Sequence, residues 1–205
     1  MKALTVLQPW ATLIIAGAKP YEFRSWRPPA AMIGQRIVIH AAKRKIDQAE
    51  VVALFSLLRD GPEKRNQNPA VIETCLDAEK GLPILDRAWL PSEEPLHLGA
   101  GVGTAVIGEP RAAEEIAEEL GVPRVNDSTR DKHAVWAWPM LDPEHWRAPV
   151  TMPGALNLWN WPEPEDVLGL HPVSRPAKCH RLPSAARSLQ SSPGRASSAP
   201  AAARR

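Results

Sequence analysis

The sequence predicts an α+β domain, a small β-barrel decorated with short helices and followed by a disordered tail. Three observations lead there. Apolar residues form short β-branched runs in some segments and recur at helical spacing in others. Glycine- and proline-containing turns separate these segments. Strand–helix–strand units of full length are too few for a doubly wound sheet. Hydrophobic residues make up 44% of the 205-residue chain, a globular value.

Residues 2–7 read as a short strand in which Ala3, Leu4, Val6 and Leu7 are apolar. Pro9 then suits the first turn of a helix, where its missing N–H is harmless. Trp10, Leu13 and Ile14 follow at helical spacing, and Gly17 is placed to cap that helix. Residues 20–26 are extended, and Arg27-Pro28-Pro29 makes a turn. Residues 35–41 form a central strand, because Ile37, Val38 and Ile39 are consecutive and β-branched. An amphipathic helix is expected over 46–58. The polar stretch 60–95 is given a single short helix, around 70–79. A strand follows at 101–107, then an acidic surface helix at 112–120 ended by Gly121, then a strand at 134–139. Residues 149–161 close the domain.

The domain is expected to occupy residues 1–165. Beyond it, 166–205 reads as a disordered basic tail, rich in Ser, Pro, Ala and Arg, that cannot bury enough surface to offset its ordering entropy. No apolar run approaches the ~18 residues of a membrane span. The N-terminus meets Gln8, Pro9 and Trp10 before any signal-like apolar stretch, so a cytoplasmic protein with no membrane partner is expected. Cys75 and Cys179 are the only cysteines, lack a CxxC spacing, and read as free thiols. The histidines lack metal-ligand spacing, and no cofactor motif is present.

The net charge of +2 conceals three regions. Residues 1–50 carry eight basic and three acidic side chains; residues 51–170 carry ten and twenty; residues 171–205 carry seven and none. Positive charge in the predicted domain therefore gathers at its N-terminal end, where it would steer an anionic ligand.

The chemistry concentrates in Gln8-Pro9-Trp10-Ala11 and in Lys19, Glu22, Arg24 and Trp26. On a strand, Glu22 and Arg24 share one face, with Tyr21, Phe23 and Ser25 on the other. A carboxylate between two cations is held ionised as an acceptor. The cations would meet phosphate or another anion, Arg24 in bidentate fashion. Arg27, His40, Lys43, Arg44 and Lys45 thicken the positive field. If the strand at 35–41 pairs beside residues 20–26, their ends converge on one cleft. Trp26 would then offer a stacking plane for a base, worth ~1–3 kcal/mol. Trp10 belongs to the core more than to the ligand, and Trp136, Trp138, Trp159 and Trp161 read as packing or rim residues.

This signature resembles the opening of ASCH domains, which belong with the PUA-like folds. Similar pieces follow in order: Ile39-His40-Ala41, the strand 102–107, Trp136-Ala137-Trp138-Pro139, and Gly154 with Leu158-Trp159-Asn160. The resemblance spans roughly residues 2–162. It implies a PUA-like barrel and an RNA-binding or nucleotide-binding role. The expected partners are RNA, single-stranded nucleic acid or a nucleoside-type small molecule. The ligand-binding candidates are Lys19, Glu22, Arg24, Trp26, Arg27, His40, Lys43 and Arg44. The alternative is a metal-independent hydrolase acting on a modified nucleoside or on RNA. In one amidohydrolase subgroup a lysine precedes a threonine nucleophile by three positions. Here Lys19 is followed by Glu22, so that nucleophile is missing, and catalysis would need Glu22 as base and Lys19 as electrostatic stabiliser.

Overall fold

A computed structural model describes residues 1–90 and 94–162. The basic tail expected over 166–205, including Cys179, lies outside the described residues.

Among the described residues seven strands form a mixed sheet: β1 (Lys2–Val6), β2 (Tyr21–Arg24), β3 (Arg36–Ala41), β4 (Ala100–Ile107), β5 (Arg111–Ala112), β6 (Trp136–Thr151) and β7 (Leu158–Asn160). They lie in the order β2-β6-β4-β3-β1-β7, with β5 paired to β6. β1 and β3 are parallel, and every other pairing is antiparallel. The sheet curls into a half-barrel bearing short helices, as the sequence leads one to expect. One expectation is corrected. β3 runs between β1 and β4, whereas β2 pairs only with β6, so the two basic segments are not neighbours.

Six α-helices among the described residues accompany the sheet: α1 (Trp10–Ile15), α2 (Gln48–Leu58), α3 (Pro62–Gln67), α4 (Pro69–Glu73), α5 (Ala78–Trp89) and α6 (Ala113–Leu120). α1 packs into the concave sheet. Trp10, Ile14 and Ile15 meet Leu4, Ile39 and Trp138 in the main core. The opposite side of α1 sends Leu13 into a second core with Leu54 and Leu58 of α2 and Leu85 of α5. Phe23, Ala137, Ile116 and Val125 form a third, under α6.

The stretch 60–95 corrects the sequence reading, because it holds three helices instead of one. Its polar residues cap helices. The Asn68 side chain accepts from Ala70 N at 3.1 Å, and Asp77 accepts from Glu79 N and Lys80 N at 3.1 and 3.2 Å. The single helix expected over 70–79 breaks in its middle, where Cys75 adopts a left-handed φ of 55°. The strand expected at 134–139 is also longer than expected, continuing as β6 to Thr151.

β4 survives at the crowded centre because its residues are small. A Cβ on Gly103 would overlap the carbonyl oxygen of Glu144 and sit 3.0 Å from two carbons of Ile15. Gly103→Ala is therefore expected to cost about 1–3 kcal/mol, through overpacking against backbone that cannot retreat. A lowered midpoint in urea unfolding would register it, and an unchanged midpoint would refute the packing claim.

Candidate functional site

The site begins at the end of α1. Gly17 takes a φ of 68°, and the turn closes with Ala18 N donating to Leu13 O at 2.8 Å and Gly17 N donating to Ile14 O at 2.9 Å. Lys19 N also donates to Leu13 O, at 3.0 Å. This tight reversal turns the lysine side chain inward, where it is only 2% exposed. β2 follows at once. Its alternation puts Glu22 and Arg24 on one face, and Arg24 Nη2 lies 2.9 Å from Glu22 Oε1. Lys19 Nζ lies 3.4 Å from the other oxygen of Glu22.

The fourth member is Asp127, 108 residues away in sequence from Lys19, with which it forms a buried ion pair. The loop carrying it is pinned from several sides. Trp10 Nε1 donates to Asp127 O at 3.2 Å, and Asn126 N donates to Glu73 O at 2.8 Å. Glu50 on α2 accepts from Thr129 N at 3.1 Å. The result is a row of alternating charge: Arg24, Glu22, Lys19, Asp127. Arg24 is further fixed by donating to Thr5 O on β1 at 3.1 Å, while its buried Nε has no partner among the described residues.

Burial pushes the Asp127 carboxyl above the ordinary carboxylate range, Lys19 opposes the rise, and the neighbouring Glu22 charge adds to it. Desolvation wins because a buried carboxylate loses more hydration than one ammonium, shared with Glu22, can return. Below the floor, the Cys75 thiol is pushed up to about 11, first by burial and then by Asp127. It is an unreactive thiol at neutral pH.

Above this row lies a cleft of about 170 Å³. Thr5, Trp10, Lys19, Glu22, Arg24 and Asp127 line its interior, with Ser128, Arg130 and His133 beside them. The Arg130 guanidinium lies 4.7 Å from the ring centroid of Trp10. Trp10 is itself 3% exposed, so its indole is covered by the arginine and by the core.

The other sequence candidates stand elsewhere. Trp26 packs edge-on against Trp138 at 4.6 Å and lines a separate hollow with Pro29 and Leu158. Arg27 is exposed, pairs with Glu109 at 3.2 Å and stacks on Trp136 at 4.8 Å. His40 is wholly buried among Trp159 and Trp161, with Nε2 2.9 Å from Met152 O. Lys43 and Arg44 are exposed beyond the end of β3. None of these five lines the cleft. Conversely, the sequence reading passed over Asp127, Arg130 and Glu50. The only signal for Asp127 and Arg130 was the polar run Asn126-Asp127-Ser128-Thr129-Arg130, which has no periodicity, and Glu50 reads as one polar residue of the helix expected over 46–58. Among the described residues no group of three or more His, Cys, Asp or Glu side chains is placed to hold a metal ion. Nor is any helix there long and apolar enough to cross a membrane.

Fold and site together define a small α+β domain built around a buried ionic cleft. Residues 4–94 match the family model of the ASCH domain. Asp127 and Arg130 come from beyond the matched segment. Among solved structures, an ASCH protein from Zymomonas mobilis is similar at 14% identity and a TM-score of 0.41, covering 82% of this chain and 92% of that one. A serine-to-alanine variant of the Zymomonas mobilis protein is similar at 12% identity and a TM-score of 0.39, covering 86% and 83%. Comparison with curated proteins finds no match.

Proposed function

We propose that the chain is an RNA-binding or nucleotide-binding module whose ligand enters the cleft over Lys19, Glu22 and Arg24. The observation that carries this reading is the row of four alternating charges under an open cleft. Such a row is a poor way to stabilise a fold, because desolvation consumes most of its Coulomb energy. It is a good way to present fixed donors and acceptors to the edge of a base. Three cationic side chains, Lys19, Arg24 and Arg130, meet three carboxyls, Glu22, Asp127 and, at one edge of Arg130, Glu50, and burial pushes the Asp127 carboxyl toward its neutral form. The balance favours an anionic ligand.

Arg24→Gln should weaken binding of a short single-stranded RNA by about tenfold, the value of one hydrogen bond to a charged group. Fluorescence anisotropy at several salt concentrations reads it, with wild-type affinity falling steeply as salt rises. Unaltered affinity in a folded variant would place the ligand elsewhere.

The hydrolytic alternative keeps one point of support, the protonatable Asp127 carboxyl beside Lys19, a pairing suited to proton transfer. Glu22 is less suited to act as a base on water, because both of its oxygens already face cations. A panel of acetylated and methylated nucleosides separates the readings. Turnover lost in Glu22→Gln supports hydrolysis through that carboxylate, and turnover surviving there removes it.

A further inference from the structure

Resting on that reading of the cleft, we propose that its ligand bears a terminal phosphate, as a nucleoside monophosphate or the phosphorylated end of a strand, and that Arg130 holds the phosphate. The cleft cations differ in how far they are committed. Lys19 is shared between Asp127 and Glu22. Arg24 spends Nη2 on Glu22 and on Thr5 O. The Arg130 side chain makes no hydrogen bond among the described residues; it has only a 3.6 Å approach to Glu50 Oε2 and the face of Trp10. It is 36% exposed at the side chain, so its donors are open to a ligand.

Its position is nevertheless fixed. The Trp10 ring supports one face of the guanidinium, and Glu50 holds one edge. Glu50 is itself held by Thr129, through N at 3.1 Å and Oγ1 at 3.4 Å. A guanidinium restrained in this way has given up part of its rotamer freedom before any ligand arrives and presents a planar fork that matches phosphate. His133 stands beside it on the cleft lining. Asp131, the acid of that stretch, is already engaged by Arg124 at 2.7 Å and by Asn126 at 2.8 Å. The opposing charges are Glu50, which faces one edge of Arg130 only, and at longer range Asp127, which burial pushes toward its neutral form.

Size points the same way. At about 170 Å³ the cleft is smaller than the ~300–1,000 Å³ of drug-sized sites, with room for one base but not for a run of them. The phosphate of a ligand seated on the ionic floor would fall at the lining that Arg130 and His133 share. A monoester, at about −1.5 to −2, gains more there than the single charge of an internal diester.

Calorimetry on the full chain tests this with the four ribonucleosides, their 5′- and 3′-monophosphates, inorganic phosphate, and short single-stranded RNA with and without a terminal phosphate. At least one monophosphate should bind about tenfold tighter than its nucleoside. A matching preference for the phosphorylated strand identifies strand ends as the source, and its absence identifies free nucleotides. Arg130→Met should abolish most of the preference and leave nucleoside affinity in place. Lys132→Met, an exposed neighbour, should leave both unchanged. Equal affinity for nucleosides and monophosphates in the wild type overturns this inference alone, whether or not the variants fold. No binding of any nucleoside, nucleotide or strand overturns the cleft reading and this inference with it.

Discussion

Replacing Lys19 by methionine is expected to destabilise the domain by about 3–5 kcal/mol at neutral pH, the cost of stranding buried charge by removing one partner. Methionine keeps most of the volume, so the loss is electrostatic more than steric. Glu22 retains Arg24 at 2.9 Å, but the described contacts leave Asp127 no other cation in direct contact. The pH dependence has a definite sign. The Asp127 carboxyl is raised in the fold, chiefly by burial. Stability tied to its protonation is therefore fully present below the ordinary carboxylate value and is lost as pH rises through the raised value. Lys19 limits that loss. Without it the carboxyl rises further, and the penalty for ionising it persists over a wider range. The gap between wild type and Lys19→Met should thus be widest near neutrality and shrink as pH falls. Urea unfolding at several pH values measures both. A gap that is flat, or that grows on acidification, would show that Asp127 is not the group left stranded.

The elements legible in the sequence were those written in local chemistry. Gly17 and Gly121 mark helix ends because each takes a positive φ that other residues resist. The run Ile37-Val38-Ile39 marks β3 because both of its faces are covered. Lys19, Glu22 and Arg24 were legible as one ionic group because a tight turn and a period of two fix their relations within six residues. What stayed hidden depends on distant partners. β6 runs on past the strand expected at 134–139, through Pro139, Pro143 and Pro149. In the fold this strand changes partners along its length, pairing with β2 near Pro139 and with β4 beyond it, with register shifts around Pro143. A proline is tolerated where the ladder is interrupted. Asp127 and Arg130 were invisible for a related reason. They sit in an irregular loop with no period to betray a face, and contacts with α1, α2 and α4 fix their direction. Adjacency of β2 and β3 could not be read locally either, since strand order is decided by the whole sheet.

Trp138→Ala is expected to cost about 3–5 kcal/mol, the range for emptying a buried aromatic site. Trp138 is wholly buried and lies opposite Glu22 in the β2–β6 ladder. Its Nε1 donates to Trp26 O at 3.0 Å, and its ring meets Trp26 edge-on at 4.6 Å. Alanine would therefore leave a cavity behind the floor of the cleft and free the carbonyl of Trp26. Phenylalanine would fill much of the space but leave the Trp26 carbonyl unpaired, a smaller loss of about 1–3 kcal/mol. The same contacts settle what to expect of Trp26. Sequence pattern offers it as a stacking plane for a base, but its ring is committed to Trp138 and lines a hollow apart from Lys19 and Arg24. Trp26→Phe should lower the unfolding midpoint and leave ligand affinity within twofold of wild type. A tenfold loss of affinity with the midpoint unmoved would return Trp26 to the ligand and require a site that reaches round the edge of β2.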